Sequence, residues 1–343
     1  MDIEFHYYMT YLISTRAGIK PEDAKKIAYA SQYVDDNDII CEIDKGQSSA
    51  YRNYISQTMN ILSPKSKLFR IYPLFHFIPG DPSSKPAWRK DGKMHWLNTT
   101  PDSKNANLIL EAAFNTKNLY RMGIAIHSFV DTWAHQNFIG YFDDFNSMNT
   151  AIGSIAPNIG HADAGHNPDE PALVWKDSRL LVERVDNRQR FLEAATCLYN
   201  KLAIYVDPSA SSQVIKTAAA NLIKDLNAAI GDVDPKNDYK EERIARYKKL
   251  ASSDNYGGEQ ITEYDPDEWF ELAVNEQVRG FRDRSDSKLL RFDPLQDIYT
   301  WKNSETRNKT DWYLFQEAVK AHQNTAWEIL SDSNMQGLEL HSL

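Results

Sequence analysis

Apolar positions along the chain recur at helical spacing far more often than at strand spacing. Pro21, Glu22 and Asp23 open a run in which Ala24, Ile27, Ala28 and Ser31 share one helical face, with the acids in the first turn, where they complement the helix dipole. That helix is expected to end near Asp35. Before it, His6, Met9 and Ile13 form a second stripe that stops at Gly18. Residues 104–139 are dominated by helix formers, with Gly123 a mild interruption, and predict one long central helix. Further helices are expected at 187–205, 209–231, 262–282 and 311–332. Alternating patterns are scarce, so the fold class is read as all-α, a multi-helix bundle with long loops. The loops fall at 80–103, where Pro, Ser, Gly and charge surround Trp88 and Trp96, and at 140–185.

A length of 343 residues allows two domains or one large core. The pattern suggests a metal-binding helical core at 1–185 and a helical remainder at 186–343 packed on it, with a lid and a single continuous domain both left open. Lys and Arg number 39 against 48 Asp and Glu, a formal charge of −9 without any long basic block, which disfavours a general nucleic-acid surface. No stretch approaches the roughly 18 apolar residues of a membrane span, and the first residues lack the basic start of a signal peptide. The expectation is a soluble, cytoplasmic protein, with a leaderless export route left open. Cys41 and Cys197 lie far apart without C-x-x-C spacing, so neither a disulfide framework nor a cysteine zinc site is indicated.

Histidine changes the picture, because seven of nine lie between His6 and His166, leaving only His322 and His341 beyond. His127, Asp131 and His135, spaced i, i+4, i+8, project within about 80° of one another on a helix. Imidazole nitrogen and carboxylate oxygen are ligands that zinc accepts. Asp35 continues the buried face of the Pro21 helix, where an unpaired carboxylate is costly, and Asp36 borders it. His6 sits on the first apolar stripe, and His76 stands between Phe75 and Phe77 just before a turn. Gly160 to Asp169 adds His161 and His166 with Asp163 and Asp169 on a glycine-rich turn that can fold tightly around an ion. These segments fit two or three metal ions better than one structural site. His322, on the apolar stripe of the last helix, reads as a core histidine with a hydrogen-bond partner.

The order His6, Asp35 or Asp36, His76, His127-x3-Asp131-x3-His135, His161 resembles the ligand order of the zinc-dependent phospholipase C and single-strand nuclease superfamily, all-helical proteins with a trinuclear zinc cleft. More closely, Phe5-His6-Tyr7, Ser31 to Asp36, Phe75 to Gly80, His127 to Gln136 and Gly160 to Asp169 resemble an uncharacterised bacterial family of about this length. No motif after about residue 180 adds to either likeness. The resemblance implies that Asp131 bridges two ions, that His76, His127 and the aspartate pair surround one, and that His6 serves its bridged partner. It implies that His135 and His161 hold the remaining ion. The chain departs from the pattern at two points. In the phospholipases the mature N-terminal amine ligates zinc, whereas here Met1 precedes His6 by only five residues. In place of His-x3-Glu stands His161-x4-His166, so His166, Asp163 and Asp169 compete for the last ligand position.

The expected activity is zinc-dependent hydrolysis of a phospholipid or small phosphodiester by a metal-bound hydroxide, with Asp36 or Asp35 orienting it or acting as general base. Single-strand nuclease activity is the nearest alternative. A secreted toxin or interaction protein with purely structural zinc is the alternative of another class. No His-Asp doublet, Glu-x-x-His or H-E-x-x-H occurs, which argues against other common metallohydrolase and di-iron designs.

Overall fold

Residues 4 to 9 wind as a π-helical turn, Glu4–Met9, that runs directly into α1 (Thr10–Arg16). The computed structural model describes residues 1–58, 65–148, 159–277 and 298–332. α2 (Pro21–Asp36) starts at the proline and buries Ala24, Ile27, Ala28 and Ser31 on the face that the spacing predicts. Two short strands follow, β1 (Glu42–Ile43) and β2 (Tyr51–Arg52), and then α3 (Lys65–Ile71), which passes into a second π-helical turn at Tyr72–His76.

The single helix expected over 104–139 is two: α4 (Lys104–Asn115) and α5 (Leu119–Ala134). The break lies at Thr116 to Asn118, not at Gly123. Lys117 adopts φ 56°, which no helix continues, and the Asn118 side chain accepts from the Arg121 N–H to cap the new start. Every residue of α5 from Met122 to Ala134 is buried, as suits a helix enclosed on all sides. It packs against α2, α4, α6 (Asn187–Val206) and α10 (Asp311–Ser331).

Between α5 and α6 lies the hairpin of β3 (Val174–Lys176) and β4 (Arg184–Asp186). α7 (Ser212–Ile230) and α8 (Lys240–Ala251) follow, the second of them unanticipated. Where the pattern predicts a helix over 262–282, only α9 (Glu268–Ala273) is helical among the described residues, and Val274 turns the chain into β5 (Val274–Gln277). Residues 278–282 of that stretch, 149–158 of the second predicted loop, and His341 lie outside the described residues.

The all-α expectation is overturned by these strands. β5 pairs with β6 (Ile298–Trp301) in a four-stranded mixed sheet of order β2-β1-β6-β5, in which β1 and β6 run parallel, while β3 and β4 form a separate two-stranded sheet. The protein is helix-rich mixed α/β. Strands of two to four residues are too short for alternation to show. The pairing of Ile43 with Tyr299 spans most of the chain, beyond the reach of local pattern.

Candidate metal centre

The centre sits where the end of α2, the second half of α5 and both π-helical turns converge. Gly123 makes this possible, since a Cβ there would lie 2.5 Å from the Ile27 carbonyl oxygen and 2.6 Å from the Ala30 Cβ. Its bare backbone lets α5 lie directly on α2. One turn further on, His127 and Asp131 come level with Asp35.

Each of four histidines has one ring nitrogen on a backbone carbonyl. Nδ1 of His127 bonds the Ser31 oxygen at 2.9 Å, Nε2 of His76 the Ser56 oxygen at 2.9 Å, Nδ1 of His135 the His76 oxygen at 2.7 Å, and Nδ1 of His161 the Gly165 oxygen at 2.8 Å. A carbonyl only accepts, so each of these nitrogens carries the proton and the opposite nitrogen presents a lone pair to the centre. The Ser56 carbonyl is itself held in place, because the side chain of Asn37, at the end of α2, donates to Tyr54 O and Ser56 Oγ. Phe77 stacks on the His135 ring at 4.4 Å.

Three groups of potential ligands result: His6, His127 and Asp131; Asp35, His76 and His127; His135, His161 and Asp169. The ligand atoms of each lie within 4.8 Å of one another, so the protein holds several His/Asp clusters able to take a metal ion. Asp131 joins them. Its Oδ1 is 3.1 Å from Nε2 of His6, and its Oδ2 is 3.1 Å from Nε2 of His127 and 3.6 Å from both His76 and His135.

For His6, His127, His161, Asp131 and Asp169 the charge states match what a metal needs. Burial disfavours protonation of His6, His127 and His161 and lowers all three below the ordinary imidazole value. Burial alone would raise the Asp131 and Asp169 carboxyls, but the imidazoles and the Met1 amine around them hold both well below the usual range. At the pocket wall, burial pushes Asp35 up to about 7, and repulsion from Asp131 adds to it against the pull of His76. Neutral imidazoles and ionised carboxylates are the ligand forms.

Of the residues singled out in the sequence, His6, Asp35, His76, His127, Asp131, His135 and His161 fall in these groups. Asp36 does not. It lines the pocket and accepts hydrogen bonds from Gln32 Nε2 and the Tyr264 hydroxyl. His166 is exposed at the pocket rim and belongs to none of the three groups, and Asp163 accepts from the Met148 N–H instead. The last position of the His135 group is taken by Asp169.

The Met1 α-amine, set aside in the sequence as a departure from the phospholipase pattern, stands 2.5 Å from Asp131 Oδ1 and 3.3 Å from Asp169 Oδ1. Burial pulls its pKa down, but the nearby Asp131, Asp169 and Asp35 carboxylates raise it to about 11. Sequence reasoning missed Tyr264 and Lys240. No motif marks them. The pocket over the centre measures about 660 Å³ and is walled by Gln57, Tyr72, Phe77, Asp36 and Lys240 among others. Among the described residues no helix is long and apolar enough to cross a membrane.

No curated protein matches the chain, and no solved structure does. A family model described as a family of unknown function (DUF6765) matches residues 1–330. The chain therefore belongs to that family.

Proposed function

We propose that the protein is a metal-dependent phosphodiester hydrolase that takes two or three zinc ions in the His/Asp groups and acts on a phospholipid or a small phosphodiester. One observation carries the reading. Nε2 of His127 and Nδ1 of His76 face each other at 3.0 Å, and both rings keep their protons on the far side. Two lone pairs that close repel unless a cation lies between or beside them. Nδ1 of buried His6 likewise lacks a hydrogen-bond partner, and its Nε2 faces Asp131 Oδ1 at 3.1 Å.

Asp35, His76 and His127 with Asp131 would hold one ion, His6 with Asp131 a second, and His135, His161 and Asp169 a third. Ions there supply Lewis acidity for a phosphoryl group and a water that ionises near neutral pH. Asp36, which lines the pocket outside the three groups, is the carboxylate that would orient that water and accept its proton. A single-strand nuclease would use the same centre.

The test combines elemental analysis of chelator-free protein with hydrolysis of bis-p-nitrophenyl phosphate, phosphatidylcholine and single-stranded DNA. Zinc bound at more than one ion per chain is expected, with activity lost on stripping and restored by zinc. Absence of metal would sink the reading. A fully metallated, folded protein inert on all three substrates would favour structural zinc instead.

A further inference from the structure

Away from the pocket, five of the exposed apolar side chains lie together. Trp88, Met94, Trp96, Leu181 and Val182 are 51 % to 73 % exposed, and all come from two short segments, 85–96 and 176–184. The antiparallel bridge between Arg89 and Leu180 lays these segments side by side, and the Lys90 N–H donates to the Arg179 carbonyl. Arg89 and Leu180 point inward, at 6 % and 8 % exposure, so alternation sends their neighbours Trp88 and Leu181 outward together. The same segments carry seven basic side chains against three acidic ones, in a chain whose net charge is −9. Arg89 and Arg179 are occupied inside, where both donate to the Phe145 carbonyl. Lys85 and Lys93 are exposed, and the exposed Lys90 and Lys176 pair with Glu183 and Arg184 with Asp186. Residues of both segments line a concavity of about 450 Å³, Lys90, Lys93 and Arg179 together with Asp91 and Asp144.

We propose that this patch docks the protein on an anionic lipid surface, the indoles and aliphatic tips entering the interface while the basic side chains meet lipid phosphates. Tryptophan is favoured at the headgroup level, aliphatic side chains gain by entering the acyl boundary, and each basic residue is drawn to a negatively charged leaflet. A single-stranded nucleic acid would use the cations and indoles, but Leu181, Val182 and Met94 have no ring on which a base can stack. A two-fold contact with a second copy would set the basic patch against itself. The inference goes beyond the hydrolase reading and does not depend on it.

The full-length protein would be sedimented with vesicles of phosphatidylcholine alone and of phosphatidylcholine mixed with phosphatidylglycerol. Binding to the mixed vesicles is expected to be tighter and to weaken with salt, with tryptophan emission shifting to the blue. Lys85→Gln and Lys93→Gln should each weaken it about five-fold. Trp88→Ser combined with Leu181→Ser should abolish it. These side chains are exposed, so circular dichroism and metal content serve as unchanged controls. Three results overturn the proposal: wild-type protein that sediments with neither vesicle, variants that bind as well as wild type, or tighter binding to a single-stranded oligonucleotide than to the vesicles. Hydrolytic activity enters none of these readouts, so an inert enzyme that still binds vesicles would refute the proposed function alone.

Discussion

Asp131 has a different demand on each of its oxygens, Oδ1 towards His6 and Oδ2 towards His127, and is 1 % exposed. Its loss removes the negative charge common to two ligand groups, whereas loss of His161 touches one. We therefore expect Asp131→Ala to release at least one more metal equivalent per chain than His161→Ala, and to cost on the order of 3 kcal/mol as buried charges lose their partner. His95→Ala, in the loop outside the groups, is the control. Equal metal content in all three variants would contradict the bridging role. His322 poses the opposite problem, a histidine that the fold keeps neutral. It is buried, and its Nε2 donates to the Leu74 carbonyl at 3.0 Å while its ring stacks on Phe75. Burial lowers its pKa to about 3. Because the folded value lies below the unfolded one near 6.5, the unfolded chain binds the extra proton between them. The contribution is thus fully present above about pH 6.5 and is lost as pH falls towards 3. Wild type should lose about 2 kcal/mol from this residue alone between about pH 7.5 and about pH 5. His322→Gln keeps a donor for Leu74 and should flatten that slope in denaturant titrations at the two pH values. An unchanged slope would show that His322 does not titrate as described.

At the level of elements, the contact between α2 and α5 sets the centre, and Gly123 sets the contact. In Gly123→Ala the new methyl meets the Ile27 backbone, which cannot swing aside as a flexible side chain can. The helices must part, at about 1 to 3 kcal/mol for overpacking. Separation would also stretch the His127 bond to Ser31, so metal should be stripped from the variant at lower chelator concentration than from wild type. Unchanged stability and metal retention would refute this. The sequence shows why such a contact matters but not where it falls. His127, Asp131 and His135 are legible because a regular helix fixes their common face, and Asp35 is legible as a carboxylate on an apolar stripe. His6 and His76 stand out as residues, but their π-helical turns do not, because the extra residue per turn leaves no separate signature in five or six positions. Asp169 could not be preferred over Asp163 and His166 because a glycine-rich turn has no period that says which side chain faces inward. The stretch after Glu268 has helical composition, yet pairing of Val274 with Trp301 takes it into a sheet. There tertiary pairing overrides local preference.

Across the described residues, the larger of two apolar clusters draws on both halves of the chain, from Met1 to Leu330. The second half, featureless in sequence, reaches the centre through α8. Arg243, 1 % exposed, donates to both Glu4 carboxylate oxygens at 2.8 to 3.2 Å and to Asp234 at 2.7 Å, and it also contacts Asn237. One turn earlier, Lys240 pairs with Asp2 at 3.0 Å. Both acids flank the start of the π-helical turn that carries His6, so α8 fixes the height at which His6 meets Asp131. Burial pushes the Glu4 carboxyl up to about 7, with Asp2 adding to it, even with Arg243 beside it. Removing the guanidinium leaves a carboxylate in a dry site with its main partner gone. Arg243→Met should therefore cost about 3 kcal/mol, and the double variant with Glu4→Gln should recover much of that, since it removes the orphaned charge along with its partner. If Arg243 acts only on the N-terminal segment, metal loss in the single variant should be partial, with the His135 group still loaded. Melting temperature and metal equivalents measured on wild type, both singles and the double would decide it. Additive costs in the double would show that Arg243 and Glu4 do not act as a pair, and complete metal loss at full stability would show that α8 supports all three groups rather than His6 alone.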